Sequence, residues 1–194
     1  DLRVGMEICE VTESVRATGF SVFDAADYVG GICVKNGAKY TRKQLDALTE
    51  YVKRPQIGAT GLIYARMAED GTIKSSADKF LTPELLQQLS GKLEATKGDL
   101  MLFMAGKKVQ TQVALGTLRL EVARNENLLN PKVFKPLWVV DFPLFEWDEE
   151  TQRFYAMHHP FTSPHPADID LFESNPGAMR ANAYDMVING TEVG

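Results

Sequence analysis

Cysteine is scarce in this chain. Its 194 residues include only Cys9 and Cys33, with no metal-ligand spacing and too few for a disulfide framework. Two free thiols are expected, which suits a reducing compartment and a cytoplasmic location. Histidine is also rare: His158, His159 and His165 are the only three, so residues 1–130 have none. No apolar run approaches the ~20 residues needed to cross a bilayer, and no membrane partner is expected. The start, Asp1-Leu2-Arg3-Val4-Gly5, lacks the basic and apolar segments of a secretory signal, and it lacks Met. A fragment or a processed chain is expected. Positive charge is not in excess: the net charge of −5 argues against an overall non-specific grip on nucleic-acid backbone. There is no internal repeat and no low-complexity segment.

What is present is an ordinary globular composition, 44% hydrophobic and 24% charged. Ile8, Val11 and Val15 recur at helical spacing, predicting a helix over 7–18. Residues 20–23 alternate like a strand, and 29–34 predict a second strand whose glycine pair suggests a bulge or close backbone approach. Thr41 and Gln44 form a capping box, so a helix should follow with Leu45, Leu48 and Val52 inward. A strand is expected at 62–67. Thr82-Pro83-Glu84 starts the next helix, over 85–95. The continuously apolar 100–105 reads as a strand. A long helix over 107–124 offers Val109, Val113, Leu115, Leu118, Leu120 and Val122 for burial. The polar break at 125–131 marks a domain boundary. The expectation for 1–130 is an α+β unit with helices on one face of a mainly antiparallel sheet. The basic pairs Arg42-Lys43 and Lys107-Lys108 read as solvated helix ends.

Residues 131–194 differ in character. The run 137–147 is strongly β-prone, and with 153–158 it predicts one long antiparallel hairpin. A short helix is expected at 168–173. Residues 183–188, Asn189-Gly190 and 191–193 predict a second hairpin with a tight turn. In that register Val187 faces Glu192, and Asp185 shares their face as a diagonal neighbour, roughly 7 Å away at Cβ. Two carboxylates on one sheet face can hold Mg²⁺ with positions left open for substrate phosphates. They can equally be two unrelated acids on a solvated face. Of His158 and His159, only one can face a given site if the backbone is extended. That histidine either donates to a substrate carboxylate or ties the hairpin to the next loop.

Three blocks carry a resemblance: 138–146 (WVVDFPLFE), 156–164 (AMHHPFTSP) and 183–194 (AYDMVINGTEVG). In this order they resemble the bacterial-type aspartyl-tRNA synthetase family of class II. Upstream, TRKQLDALTEYVK and VALGTLRLEV resemble that family's GAD insertion domain. The resemblance implies a GAD domain at 1–130 and, at 131–194, two hairpins of the antiparallel class II catalytic sheet, lying between the second and third signature motifs. It implies ATP, Mg²⁺, L-aspartate and tRNA(Asp) as ligands, and a homodimeric parent enzyme. His158, with His159 beside it, would contact aspartate. Glu192 and Asp185 would bind ATP and the metal. No residue of the chain is expected to be catalytic in its own right.

Two other readings stand beside this one. The first is a non-catalytic GAD interaction module of a tRNA-dependent amidotransferase-type protein, which would have no reason to carry the AMHHPFT block. The second is a stand-alone amide-forming ligase, against which the GAD resemblance argues. The arginine that would grip the α-phosphate is missing, and developing charge there would go unstabilised. The isolated chain is therefore expected to be inactive. An ATP–pyrophosphate exchange assay should give no aspartate-dependent turnover.

Overall fold

Val11 and Val15 recur at helical spacing, yet the chain around them does not form an α-helix. In the computed structural model, which describes residues 1–194, strand β1 (Cys9–Glu10) is followed by a single 3₁₀ turn, Thr12–Ser14. Both valines are fully buried all the same, because one tight turn brings them to the same side. The alternation at 20–23 also misleads. Ser21–Asp24 is a one-turn helix, α1, with Phe23 buried and edge-on to Phe20 at 5.0 Å between ring centroids. Four residues fit either period, and burial of Phe23 decides.

The remaining elements of the first unit lie close to their sequence signals. Strand β2 (Tyr28–Val34) leads through a 3₁₀ turn to helix α2 (Arg42–Val52). The Gln44 amide donates to Thr41 Oγ1 (3.3 Å) and the Thr41 amide to Gln44 Oε1 (2.8 Å), closing the capping box. Strands β3 (Ile63–Met67) and β4 (Ile73–Ser75) form a hairpin. Strand β4 is too short for its pattern to announce it. Helix α3 (Pro83–Lys92) starts where Thr82 Oγ1 accepts from the Leu85 amide. Strand β5 (Leu100–Gly106) and helix α4 (Lys108–Asn125) complete the unit, Val4–Leu129.

Five strands make one antiparallel sheet, ordered β1-β2-β5-β3-β4. The expectation of helices on one face is corrected here, since both faces are covered. Tyr28, Ile32, Leu102 and Met104 pack with Leu45, Leu48, Leu115 and Leu118 of α2 and α4. Val29, Cys33, Met101 and Phe103 pack with Phe23, Leu86 and Leu89 of α1 and α3. Strand β2 is buried along its whole length, as is β5 from Leu100 to Met104. Strands apolar on both sides, without alternation, are what a doubly covered sheet requires. The glycine pair answers to the same crowding. A Cβ on Gly30 would lie 2.7 Å from Leu115 Cδ1, and one on Gly31 would lie 2.7 Å from the Phe103 ring.

One carboxylate is buried at the edge of this core. Asp99 accepts from Lys35 Nζ, the Asn36 amide, and both the amide and hydroxyl of Thr96, all at 2.8–3.0 Å. Burial alone would raise its pKa, but these donors hold it below the usual carboxylate range. Cys33 donates to the same carboxylate, and burial beside that charge pushes its thiol up to about 11. Cys9 and Cys33 are both free thiols.

The second unit comprises Asn130–Gly194 with Asp1–Arg3. Its run 137–147 is not one strand, and the long hairpin expected there does not form. Strand β6 (Pro136–Val139) ends before Asp141, whose φ is +59°. Strand β7 (Phe145–Asp148) then pairs with β8 (Arg153–Ala156) alone. A residue in the left-handed region followed by Pro143 breaks a β-prone run that side-chain type alone would continue. Strand β6 pairs instead with β9 (Asp185–Ile188), which pairs with β10 (Thr191–Glu192). The helix expected near 168 is a 3₁₀ segment, Pro166–Leu171. No helix in the chain is long and apolar enough to cross a membrane.

Helix α4 buries a narrower stripe than its sequence offers. Leu115, Leu118 and Val122 are fully buried, whereas Val109 and Val113 are 74% and 63% exposed. Leu115→Ala should therefore cost about 2–5 kcal/mol of stability. Val113→Ala should stay within about 0.5 kcal/mol. Urea denaturation of the two variants checks this; equal losses would place the helix on a different face.

Candidate functional site

Asn189 and Gly190 have φ of +53° and +81°. Positive φ at both central residues defines the turn type whose twist matches a tight hairpin. Asn189 is held from outside as well. Its Nδ2 donates to Val133 O (2.9 Å), and its Oδ1 accepts from the Lys135 amide (3.0 Å). The register is therefore fixed: Thr191 opposite Ile188, Glu192 opposite Val187. Across β9, Val139 faces Asp185 and Leu137 faces Val187. Asp185 and Glu192 thus leave the same sheet face, alongside three aliphatic side chains. Asp185 is half-buried and Glu192 exposed. No hydrogen bond or ion pair engages either carboxylate.

The two histidines lie elsewhere in the same unit. Strand β8 ends at Ala156, so His158 sits on a bend rather than at a strand end. Half-buried, it approaches Pro143 O through Nε2 at 3.1 Å and packs edge-on against Phe142. A carbonyl can only accept, so Nε2 carries the proton, and Nδ1 becomes a donor only in the imidazolium. His159 is exposed; its Nδ1 accepts from the Phe161 amide, and its ring meets Phe161 at 4.8 Å. No hydrogen bond, ion pair or ring contact links either histidine to Asp185 or Glu192. His165, half-buried, caps the 3₁₀ segment by accepting from the Ala167 amide. No set of three or more His, Cys, Asp or Glu side chains gathers to hold a metal ion.

The same unit holds a clamp that no local sequence pattern announces. Arg180 donates twice to Asp168, from Nε (2.8 Å) and Nη2 (2.9 Å), and from Nη1 to Asp141 (3.0 Å). Its amide also donates to Asp168 Oδ2. The backbone on either side is paired at both edges. Ala181 N donates to Phe142 O and Leu144 N to Met179 O, while His165 N donates to Arg180 O and Asn182 N to Ser163 O. The segment around Arg180 thereby positions Pro143, whose carbonyl receives His158, and it leads directly into β9. The bidentate Arg180 guanidinium drives the Asp168 pKa down to about 2, against the opposing effect of burial. The partners are 12 and 39 residues apart in sequence, and no local pattern announces them.

Residues 21–115 match the GAD domain family. Over its whole length the chain is 59% identical to the aspartate–tRNA ligase of Porphyromonas gingivalis. It is 58% identical to that of Bacteroides fragilis and 50% identical to that of Flavobacterium psychrophilum. In each case it spans about a third (33%) of the relative's length.

The clamp has a pH signature. Asp168 is depressed in the folded state, so its stabilising contribution is complete above the ordinary carboxylate pKa and is lost as pH falls from about 4 towards 2. Both tryptophans, Trp138 and Trp147, belong to this unit, so their emission reports its unfolding selectively. Asp168→Asn should weaken the unit at neutral pH and flatten the loss of stability between pH 4 and 2. An unchanged acid profile in that variant would rule out the assigned role.

Proposed function

We infer that this chain is a stretch of an aspartate–tRNA ligase, the enzyme that activates L-aspartate with ATP and transfers it to tRNA(Asp). The supporting observation is identity of 50–59% over the whole chain, including the hairpin that sets Asp185 and Glu192 on one face. An amidotransferase-type GAD module would account for residues 21–115 but not for similarity that continues through 194. On this reading, residues 1–130 are the GAD insertion domain and 131–194 a part of the class II catalytic domain. The parent enzyme works as a cytoplasmic homodimer.

The donor set fits Mg²⁺. Two unpartnered carboxylates with no third protein ligand suit an ion that keeps most of its coordination for water and phosphate oxygens. Asp185 and Glu192 would hold it, and when bound it supplies neutralising charge to the phosphates of ATP. The chain's own residues do the rest of what falls to this segment. The turn at Asn189-Gly190, anchored to 133–135, keeps the two acids in register. His158, its Nε2 committed to Pro143 O, leaves Nδ1 as the ring atom that would meet the aspartate substrate. His159 is the more exposed partner of this aspartate-binding pair.

In the full-length enzyme, Glu192→Gln and Asp185→Asn should each lower aspartate-dependent ATP–pyrophosphate exchange by roughly two to three orders of magnitude. His158→Ala should act mainly on KM for aspartate and leave KM for ATP near the parent value. Exchange at the parent rate in both carboxylate variants would sink the metal assignment.

A further inference from the structure

We propose that the groove between α2 and the β3–β4 hairpin binds a phosphate group, carried on a free nucleotide or on an RNA backbone. The site lies in the Val4–Leu129 unit and does not depend on the reading of β9–β10. The groove encloses about 740 Å³. That is larger than a bare phosphate needs and leaves room for a sugar or base.

Three cations gather in it, two of them without an ion pair. Burial alternates along β3: Ile63, Ala65 and Met67 are buried, while Tyr64 and Arg66 emerge half-buried on the other side and line the groove. Arg66 stands directly opposite Lys74 on β4, so two positive side chains share one face as direct cross-strand neighbours. Like charges so placed repel. Neither has an ion pair. The Arg66 guanidinium lies over the Tyr64 ring, 5.6 Å from its centroid, and its buried Nε finds no acceptor. A buried donor without an acceptor is unfavourable until something supplies one. Arg42, the first residue of α2, lines the same groove and uses only Nε in its bond to Asp46 (2.8 Å).

Neither acid at the rim forms an ion pair with these cations. Asp70 Oδ1 accepts from the Thr72 amide and Asp78 Oδ1 from the Ser75 amide, so each is engaged in its own turn. Ser75 Oγ accepts from the Ala77 amide and keeps its proton to donate. The set comprises a planar guanidinium fork stacked on an aromatic ring, a second guanidinium, an ammonium and a hydroxyl donor. A phosphate, with several charged oxygens, satisfies it more fully than a single carboxylate does. The chain's net charge of −5 does not oppose this, because attraction within a groove is local on the scale of the ~8–10 Å screening length.

The test uses the 194-residue chain labelled with ¹⁵N, following the Arg66 Nε–H resonance while inorganic phosphate, AMP or a short RNA duplex is added. Saturable movement of that resonance is expected. The double variant Arg66→Gln/Lys74→Gln should bind at least roughly tenfold more weakly, with Arg66→Lys in between because it keeps the charge but loses the fork. If the double variant does not fold, Lys74→Gln alone, at an exposed edge position, carries the comparison. AMP binding more tightly than RNA identifies a free nucleotide. RNA binding more tightly, with affinity falling linearly in log salt, identifies the backbone. Either outcome supports the site. An Arg66 resonance unmoved by all three probes, or folded variants that bind as well as the parent, would overturn it.

Discussion

Everything in the larger unit depends on strands β2 and β5 being buried on both faces. Their seven paired residues run from Tyr28 opposite Gly106 to Val34 opposite Leu100. The hydrogen-bonded backbone is thereby removed from water, and each side chain meets a helix on one side or the other. The helices α2 and α4 need the sheet as much as the sheet needs them, since an amphipathic helix gains most of its stability from packing rather than propensity. Two cores separated by one sheet also explain why Asp99 matters. It gathers the end of β2 and the start of β5 through four donors, which satisfy its own buried carboxylate.

The smaller unit is held by other means. Its buried apolar cluster is only Leu144, Met179 and Ala181, with a few partly buried neighbours. Many of its large apolar side chains, among them Phe134, Trp138, Phe161 and Tyr184, are exposed. In place of a core it has backbone pairing on both edges of the Arg180 segment, the Asp168–Arg180–Asp141 clamp, and the Asn189 anchor. The residues proposed to meet substrate and metal hang on this framework. His158 rests on Pro143 O, and Asp185 begins the strand that the Arg180 segment leads into. Charge-assisted, bidentate contacts suit that task because they fix direction as well as distance.

Features whose cause is local were legible in the sequence. The Asn189-Gly190 turn, with its register, and the Thr41–Gln44 cap follow from residue types a few positions apart. So did the doubly buried strand at Leu100, since an unbroken apolar run admits few other uses. Features with distant causes were not legible. The β-prone run 137–147 conceals a break at Asp141, and β6 finds its partner nearly fifty residues later, where only the assembled sheet makes the pairing favourable. The clamp joins three residues with no shared motif. Arg42, Arg66 and Lys74 are scattered in sequence and come to line one groove only in the folded unit. In the sequence, Arg42 beside Lys43 reads as a solvated helix end.

The glycine pair in β2 has a consequence of its own. A strand with one wet face is aligned by the penalty for turning that face inward, but β2 has no wet face, so sliding it along β5 would exchange apolar for apolar. Gly30 and Gly31 remove that freedom. Each leaves a dent, one on each side of the sheet, and Leu115 seats in the first while the Phe103 ring seats in the second. Shifting the strand would drive side chains into both occupants at once. The two residues with no side chain thus act as the indexing pins of the sheet, fixing its alignment where hydrophobic pattern cannot.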